Sequence, residues 1–346
     1  MLQTKLLSRE NLGEAALCLQ RGGLVAFPTE TVYGLGANAL DPSAVAGIFA
    51  AKGRPADNPL IVHLAHKEAL EEVASHIPPQ AYTWAEAFWP GPLTMVFHAR
   101  PEIPSITRGG LGTVGVRIPD HPLALELIDL AGLPIAAPSA NLSGRPSPTT
   151  AEHVWEDLKG RIHIIVDGGP TGLGLESTVV DLTTDPPVLL RPGGLPYESL
   201  AQLGPIELDP GALAIKPAVG PVRSPGMKYT HYAPRGEVYL VEGQHWDPII
   251  EKVQSLAEEA QGEGRRVGIL GTSESLAHYR ADVVLDMGPR AQPELIAQRL
   301  FHCLRSFDGL GVEVIIIEGI PAVGIGLAVM NRLRKAAGYN IIQLVD

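Results

Sequence analysis

Cysteine is nearly missing from the sequence. Only two cysteines, Cys18 and Cys303, occur among 346 residues, and neither has a cysteine or histidine nearby at the spacing of a metal ligand. This scarcity excludes a disulfide framework and a zinc finger. Both cysteines lie in apolar, helical-looking segments, so we predict that both are buried thiols.

Long apolar runs are missing as well. No run reaches the ~18 consecutive apolar residues that a membrane-spanning helix needs. The amino terminus, MLQTKLLSRENLG, also lacks the basic and then apolar layout of a secretion signal. We therefore expect a cytoplasmic protein that does not engage a membrane.

The sequence has no excess of positive charge. Its 27 Lys and Arg residues stand against 38 Asp and Glu residues, which gives a net charge of −11. Proteins that grip nucleic acid through its phosphates normally carry a basic face. Any contact with RNA would therefore need a local basic patch.

Motifs for dinucleotides, zinc and covalent catalysis are missing too. No G-x-x-x-x-G-K-[ST] loop occurs, and the Gly-Leu-Gly at 172–174 is followed by Ser177 where a third glycine would be needed. His63 and His66 lie at or just beyond a predicted strand, where their side chains would point to opposite faces. No Ser-His-Asp, Cys-His or close carboxylate pair stands out as nucleophilic machinery.

What is present is an α/β pattern. Between residues 23 and 192, short apolar runs alternate with helical patterns, such as the helix that Asp41 caps and Gly53 ends. Little sequence separates Val180 from Val188, so part of the sheet should be antiparallel. We predict strands at 24–27, 60–64, 93–97, 114–118, 135–137, 162–166, 177–182 and 188–190, and further helices at 122–131 and 150–158.

Two further segments complete the predicted organisation. Residues 204–235 are rich in proline and glycine and lack a sustained period, which predicts a linker that is longer than most connections in compact domains. Residues 236–346 return to regular alternation and predict a smaller, doubly wound, Rossmann-like domain with a parallel sheet. The first domain, with a mixed sheet, then spans 1–203.

Small polar and cationic residues gather where the strands of the first domain end, the usual place for ligands in open α/β sheets. Lys52 and Arg54 flank a glycine and suit phosphate oxygens, although a helix C-terminus also favours cations for dipole reasons. Thr113 and Arg117 fall on one face of a strand. Glu30 and Glu176 are the nearest acidic residues, either for a metal or a structural role or as turn-capping carboxylates. The pattern indicates a site that positions substrates.

Seven segments in order resemble motifs of the YrdC-type family: PTETVYGLGANAL, KGRPADNPLIVH, TVGVRIPDH, APSANLSGRPSPT, ESTVVDL, LLRPG and SPGMKYTHYAP. With the appended domain, the chain resembles the two-domain members of that family. A hydrogenase-maturation relative shares the catalytic domain but adds an acylphosphatase region and zinc-finger cysteine pairs, and this sequence has neither.

The resemblance implies a reaction. Two-domain members combine L-threonine, bicarbonate and ATP, with Mg²⁺ accompanying the ATP, to give threonylcarbamoyl-adenylate and pyrophosphate. A separate transferase then passes the threonylcarbamoyl group to an adenosine of tRNA beside the anticodon. The resemblance also implies a YrdC-like catalytic domain at 1–203 and a lid over the active site within 204–235, centred on residues 224–232.

The resemblance further implies roles for individual residues. Threonine contacts fall on Thr31, His63, Arg117, Ser177 and the main chain at Ala137. Nucleotide contacts fall on Lys52, Arg54, Asn58, Thr113, Ser139, Asn141, Ser147, Arg191 and Tyr232. Lys52 and Arg54 take the catalytic role at the phosphates, and no residue is assigned as a metal ligand. His63 has an alternative interpretation as a satisfied strand-end histidine.

Two other functions remain open from the sequence. Single-domain relatives resemble a binder of double-stranded RNA or tRNA, so an RNA-binding module of the same fold is the alternative, although the acidic balance speaks against it. A carbamoyl-phosphate-dependent adenylate former is disfavoured by the missing partner domains. The final domain carries no motif to which we can assign chemistry.

Overall fold

The structure, a computed structural model, describes residues 2–213 and 232–344. These residues divide into two compact units. The first unit holds residues up to 212 except for 144–146, and the second holds 144–146 together with the residues from 232 onward. Most of the predicted lid, residues 214–231, lies outside the described residues.

The first unit is built on a mixed sheet. Its twelve described strands are β1 (Lys5–Leu7), β2 (Val25–Phe27), β3 (Gly34–Asn38), β4 (Ile61–His63), β5 (Ala74–Ser75), β6 (Leu93–Ala99), β7 (Thr113–Arg117), β8 (Ile135–Ala136), β9 (Ile164–Val166), β10 (Thr178–Asp181), β11 (Val188–Arg191) and β12 (Glu207–Leu208). They lie in the order β1-β9-β2-β3-β8-β4-β7-β6-β10-β11-β12, with β5 beside β6. Strands β4 and β7 are parallel, whereas β6–β7 and β10–β11 are antiparallel, which confirms the predicted mixed sheet.

Helices cover this sheet, and their ends follow the capping residues. They are α1 (Leu12–Gln20), α2 (Pro42–Lys52), α3 (Leu70–Val73), α4 (Pro79–Phe88), α5 (Pro122–Ala131), α6 (Ala151–Leu158), α7 (Tyr197–Ala201) and α8 (Pro210–Leu213), with 3₁₀ turns at Arg9–Asn11 and Lys67–Ala69. Helix α2 begins where the Asp41 carboxylate accepts the Ser43 backbone N–H at 2.8 Å and ends at Gly53 in the left-handed region, as predicted.

Strand β3 was not predicted, because its sequence is rich in glycine. A Cβ at Gly36 would lie 2.8 Å from Phe27 Cε1 and 2.9 Å from Ile135 Cγ2. Only glycine therefore lets this strand pass between β2 and β8. Regular structure also extends into the predicted linker, where β12 pairs with β11.

The prediction that both cysteines are buried is half wrong. Cys303 is buried on a helix of the second unit, but Cys18 on α1 is partly exposed. Cys18 lies near the end of a nine-residue helix whose buried residues are Leu12, Ala15, Ala16 and Leu19. The helical period therefore leaves Cys18 beside the core rather than within it.

The second unit is a parallel, doubly wound sheet, as predicted. Its described strands are β13 (Glu237–Glu242), β14 (Val267–Gly271), β15 (Val283–Asp286), β16 (Val314–Glu318) and β17 (Ile341–Gln343), in the order β15-β14-β16-β13-β17. Its helices are α9 (Trp246–Gly262), α10 (Pro293–Gly309) and α11 (Ile325–Ala336), with a 3₁₀ turn at Leu276–His278. The β13–β14 and β15–β16 crossovers run in opposite directions, so right-handed connections put their helices on opposite faces.

A buried carboxylate organises the carboxyl edge of this second sheet. Glu318 ends β16 and is 0% exposed. Its oxygens accept hydrogen bonds from Trp246 Nε1 at 2.8 Å, Thr272 Oγ1 at 2.9 Å, the Thr272 backbone at 3.1 Å, Tyr279 OH and Arg290 NH1 at 3.0 Å each, and Ser275 Oγ. Burial, with a contribution from this carboxylate, raises the pKa of Tyr279.

Across residues 2–213 and 232–344, no helix is both long enough and apolar enough to cross a membrane.

Candidate functional site

The candidate site lies on one face of the central strands in the first unit. His63 and Arg117 are register partners on the parallel strands β4 and β7, as are Ile61 and Gly115. Because successive residues of a strand alternate between the two faces of the sheet, these four residues lie on the same face. Strand β6 adds Thr94, whose Cγ2 lies 3.2 Å from where a Cβ on Gly115 would be.

Arg117 is a buried cation of this face and is 4% exposed. Its Nε donates to the Gly91 carbonyl at 3.2 Å, and its NH1 donates to Thr31 Oγ1 at 3.0 Å. Its NH2 lies 2.6 Å from Glu30 Oε2. The loop between β2 and β3 therefore folds over the sheet face and brings Glu30 and Thr31 to Arg117.

The hydroxyl of Thr31 is committed to this arrangement. The Thr29 hydroxyl donates to the Val32 carbonyl at 2.7 Å, so its contact with Thr31 Oγ1, also 2.7 Å, must be donated by Thr31. Thr31 thus accepts from Arg117 and donates to Thr29. This chain of hydrogen bonds holds the guanidinium in one orientation.

His63 is a neutral imidazole in this environment. It is buried, its Nδ1 lies 3.1 Å from the Ile61 carbonyl, and its ring meets Phe27 edge-on at 6.3 Å. Burial, reinforced by the Arg117 charge, lowers the pKa of His63 to about 3. At neutral pH it can offer one ring nitrogen to a ligand but no charge.

Ser177 is held between two side chains just before β10. Its Oγ lies 2.7 Å from Thr94 Oγ1 and 3.2 Å from Arg191 NH2, and Arg191 also donates to the Ser177 carbonyl at 2.9 Å. All three residues are buried. The structure therefore brings Ser177, a predicted threonine contact, together with Arg191, a predicted nucleotide contact.

Lys52 forms a second cationic cluster, which we name the Lys52 cluster, with Ser139 and Asn141. Lys52 is 2% exposed, and its Nζ donates to the carbonyls of Asn141, at 2.6 Å, and Ser139. The Ser139 hydroxyl donates to Asn141 Oδ1 at 2.5 Å. Lys52 Nζ also lies 3.4 Å from Asn141 Oδ1, so all three of its donors have protein acceptors, and its role at the phosphates stays a prediction.

The other predicted nucleotide contacts surround the same sheet. Arg54 NH2 donates to the Pro59 carbonyl at 3.2 Å, and Ser147 Oγ donates to Glu176 Oε1 at 2.5 Å. Asn58 is buried, and its Oδ1 has no hydrogen-bond partner among the described residues. Thr113 lies in a hollow on the sheet face, lined by Pro59, Leu60, Ile61, Thr94, Val96, Leu111, Thr113, Gly115 and Val179.

Ala137 and Tyr232 are placed differently from the side-chain contacts. The Ala137 backbone N–H donates to the Ile61 carbonyl at 2.9 Å, beside β4. Tyr232 belongs to the second unit, where it is buried, stacks on Phe301 at 5.1 Å and lies under the Arg332 guanidinium at 5.5 Å. Its contact with a nucleotide stays a prediction.

Two residues of the site had no assigned ligand role in the sequence. Glu30 was noted only for a metal or structural role, and Thr94 was not singled out. Glu30 lies within the PTET motif beside Thr31, and that adjacency was the signal for it. Thr94 carried no such signal, because only the pairing of β6 with β10 brings it to Ser177.

Fold and site together define a class: an α/β protein whose mixed sheet carries buried cations and hydroxyls on one face for small anionic substrates. Comparison with known proteins then gives the family. The family model described as Telomere recombination matches residues 18–193, and the model described as Threonylcarbamoyl-AMP synthase, C-terminal domain, matches residues 196–338. The chain belongs to this two-domain, YrdC-type family, which confirms the resemblance.

Several relatives extend over nearly the whole chain. The threonylcarbamoyl-AMP synthase of Pyrococcus abyssi is 53% identical, covering 95% of each chain, and that of Bacillus subtilis is 53% identical, covering 96% of this chain and 94% of the relative. A solved structure of P. abyssi Sua5 in complex with L-threonine is 50% identical, covers 100% of both chains and has a TM-score of 0.92. Escherichia coli YciO, 24% identical with a TM-score of 0.51, covers 56% of this chain and 96% of its own and shares the fold.

Proposed function

We propose that this chain is a threonylcarbamoyl-AMP synthase. It combines L-threonine, bicarbonate and ATP into threonylcarbamoyl-adenylate and pyrophosphate. The observation that carries the proposal is the buried Arg117, held by Thr31 and Gly91 beside neutral His63, in a chain that is 53% identical to curated synthases over most of its length.

The chemistry needs no nucleophile from the protein. The threonine ammonium first loses a proton, and the resulting amine, RNH₂, then takes up CO₂ derived from bicarbonate and loses a second proton, giving a carbamate. A carbamate oxygen then bonds to the α-phosphorus of ATP, and the bond from that phosphorus to the β-phosphate bridge oxygen breaks, releasing pyrophosphate. The protein must align the two reactants and offset the charge that develops on the phosphates.

The threonine end of the site suits an amino acid carboxylate. A guanidinium can bind a carboxylate through two parallel hydrogen bonds, and the protein itself fixes Arg117 in place through Gly91 and Thr31. Ser177 supplies a hydroxyl, and His63 supplies a neutral ring nitrogen. We assign these residues, with Thr31 and the Ala137 main chain, to threonine.

The nucleotide end draws on the Lys52 cluster and its neighbours. Lys52 and Arg54 are the cationic side chains that a triphosphate requires, and Lys52 is buried, where electrostatic interactions are strong. Ser139, Asn141, Asn58, Thr113, Ser147 and Arg191 provide hydroxyls, amides and a further guanidinium. We assign this set to ATP.

Mg²⁺ is proposed as the ion that accompanies ATP. Among the described residues, no group of three or more His, Cys, Asp or Glu side chains could form a protein cage for a metal. Mg²⁺ commonly binds through substrate phosphates and waters with one or two carboxylates, so this donor set fits an ion carried by the nucleotide. Glu176, beside Ser147, is the carboxylate that would reach it. When bound, the ion would neutralise charge on the phosphates.

The product implies a partner. Threonylcarbamoyl-adenylate is an activated mixed anhydride, so we propose that a downstream transferase consumes it in modifying tRNA beside the anticodon. Direct contact with tRNA is compatible with this role but is not required by the chemistry.

One experiment tests the proposed function and its alternative. Purified protein is given ATP, Mg²⁺ and bicarbonate with single amino acids, and pyrophosphate release is measured. We expect release that depends on L-threonine and on bicarbonate. Retention of tRNA or double-stranded RNA without threonine-dependent release would instead support an RNA-binding module.

A further inference from the structure

The ion pair between Glu30 and Arg117 is buried but incompletely satisfied. The two side chains are 12% and 4% exposed, and Glu30 Oε2 lies 2.6 Å from Arg117 NH2. Neither Glu30 oxygen, nor Arg117 NH2, makes a well-aligned hydrogen bond to any described residue. Buried charges are normally both paired and hydrogen-bonded, so this arrangement lacks the polar partners that a ligand would supply.

Hydrogen bonds hold the backbone of this loop, so the Glu30 carboxylate is the part of the loop that is able to reorient. The Glu30 carbonyl accepts the Leu173 backbone N–H at 2.7 Å, and the next residue is tied to Thr29 and Arg117. The backbone is therefore anchored on both sides, whereas the carboxylate has a charge contact but no hydrogen bond to hold its orientation. It can turn from Arg117 toward a bound cation when a substrate carboxylate takes its place on the guanidinium, so that neither buried charge is left unpaired.

We propose that Glu30 and Arg117 together form a receptor for the zwitterionic head of the amino acid substrate. Arg117 binds the α-carboxylate, and Glu30 leaves the guanidinium to bind the α-ammonium. The inference rests on the proposed function and deepens it, because it makes Glu30 the residue that selects an amine-bearing substrate. Without that substrate, Glu30 balances the buried guanidinium by pairing with it.

The alternative interpretation is that Glu30 serves only to neutralise Arg117. In that case, its removal would weaken the binding of every carboxylate ligand to a similar extent or strengthen it by removing a competitor. The receptor predicts a different pattern, since only ligands that carry an ammonium group lose a partner. The two interpretations are therefore separated by a ligand that differs from threonine at that one group.

The test is calorimetric titration of the full chain, wild type and Glu30→Gln, with L-threonine and with 2,3-dihydroxybutanoate, which has a hydroxyl in place of the ammonium. We expect wild type to prefer threonine strongly. We expect Glu30→Gln to lose about ten- to a hundred-fold in threonine affinity, the size of a charge-assisted hydrogen bond, and to lose much of its preference. Glu102→Gln, at an exposed glutamate, is the matched control and should bind as wild type does.

Glu30→Asp keeps the negative charge and provides a second test in case Glu30→Gln does not fold. It should retain the preference for threonine over the hydroxy acid even if both affinities fall. An unchanged preference in a folded Glu30→Gln protein would overturn the inference while leaving threonine-dependent pyrophosphate release, and hence the proposed function, intact. Failure of the wild type to bind threonine at all would overturn both.

Discussion

The hydroxyl oxygens of Thr94 and Ser177 lie 2.7 Å apart, in a hydrogen bond that either hydroxyl can donate. Ser177 Oγ also accepts from Arg191 NH2 at 3.2 Å. Thr94 is 0% exposed and has no other side-chain partner among the described residues, so we expect its proton to go to Ser177. The Ser177 proton is then left to donate to a ligand.

Removing the Thr94 hydroxyl should therefore impair threonine binding more than turnover. In Thr94→Val, Ser177 loses its hydrogen bond to Thr94, and we expect the KM for threonine to rise by about two- to ten-fold with a smaller change in kcat. Steady-state kinetics at saturating ATP measures both. Thr94→Ser restores the hydroxyl and should restore KM; an unchanged KM in Thr94→Val would contradict the assigned proton direction.

Arg54→Ala should reduce turnover without unfolding the protein. Arg54 is partly exposed and donates to the Pro59 carbonyl, so we expect its removal to cost little stability. Loss of a cation aimed at transferring phosphates costs about a hundred-fold or more in kcat. Pyrophosphate release measures the loss, and the melting temperature checks the fold. Arg100→Ala, at an exposed arginine, is the control. Normal pyrophosphate release by Arg54→Ala would show that Arg54 does not act on the phosphates.

Lys52→Ala should impair both turnover and stability. Its ammonium is buried and donates to the carbonyls of Ser139 and Asn141, which would lose a donor. Leaving buried acceptors unsatisfied costs about 1–3 kcal/mol. Urea unfolding should show this loss, and pyrophosphate release should fall by at least about a hundred-fold. A variant that is destabilised but has normal turnover would show that Lys52 has only a structural role.

His63 should make stability depend on pH. Its pKa is lowered from 6.5 to about 3 in the folded protein, so the unfolded chain binds the proton more readily. The contribution of neutral His63 is complete above pH 6.5 and is lost as the pH falls toward 3. We expect the free energy of unfolding to fall less steeply between pH 6.5 and 4 in His63→Gln than in wild type. Exposed His98→Gln should keep the wild-type slope, and equal slopes in all three proteins would refute the assignment.

Glu318→Ala should destabilise the second unit. The substitution would leave the Arg290 guanidinium and several buried donors without their shared acceptor. Breaking a buried ion pair from one side costs about 3–5 kcal/mol. Urea unfolding followed by tryptophan fluorescence, to which Trp246 contributes, measures the loss. Glu274→Ala, at an exposed carboxylate beside the Arg290 backbone, should cost far less.

Local signals predicted much of the fold. Asp41 and Gly53 mark the ends of α2 because a cap and a left-handed glycine act within one turn of chain. The strands of the second unit follow their apolar runs, because such a run is also a local signal within the sequence. Strand β3 could not be predicted from its own residues, because the glycine at position 36 is required by its contacts with Phe27 and Ile135, which lie on other strands.

The candidate site divides in the same way. Residue types in short motifs pointed to Lys52, Arg117 and Ser177, because phosphates and carboxylates need cations and hydroxyls. Those motifs carried no information on which side chains would meet. Thr94 is 83 positions from Ser177 in the chain, and the two are joined only because β6 and β10 pair in parallel.

The sequence by itself determined the family, the α/β class and the chemical character of the site, since these depend on residue identity and on patterns over a few turns. Tertiary structure alone decided that Glu30 lies against Arg117, that Lys52 is buried and that His63 is uncharged. The physical reason is that strand register and burial set distance and solvation, and these govern how strongly charges interact.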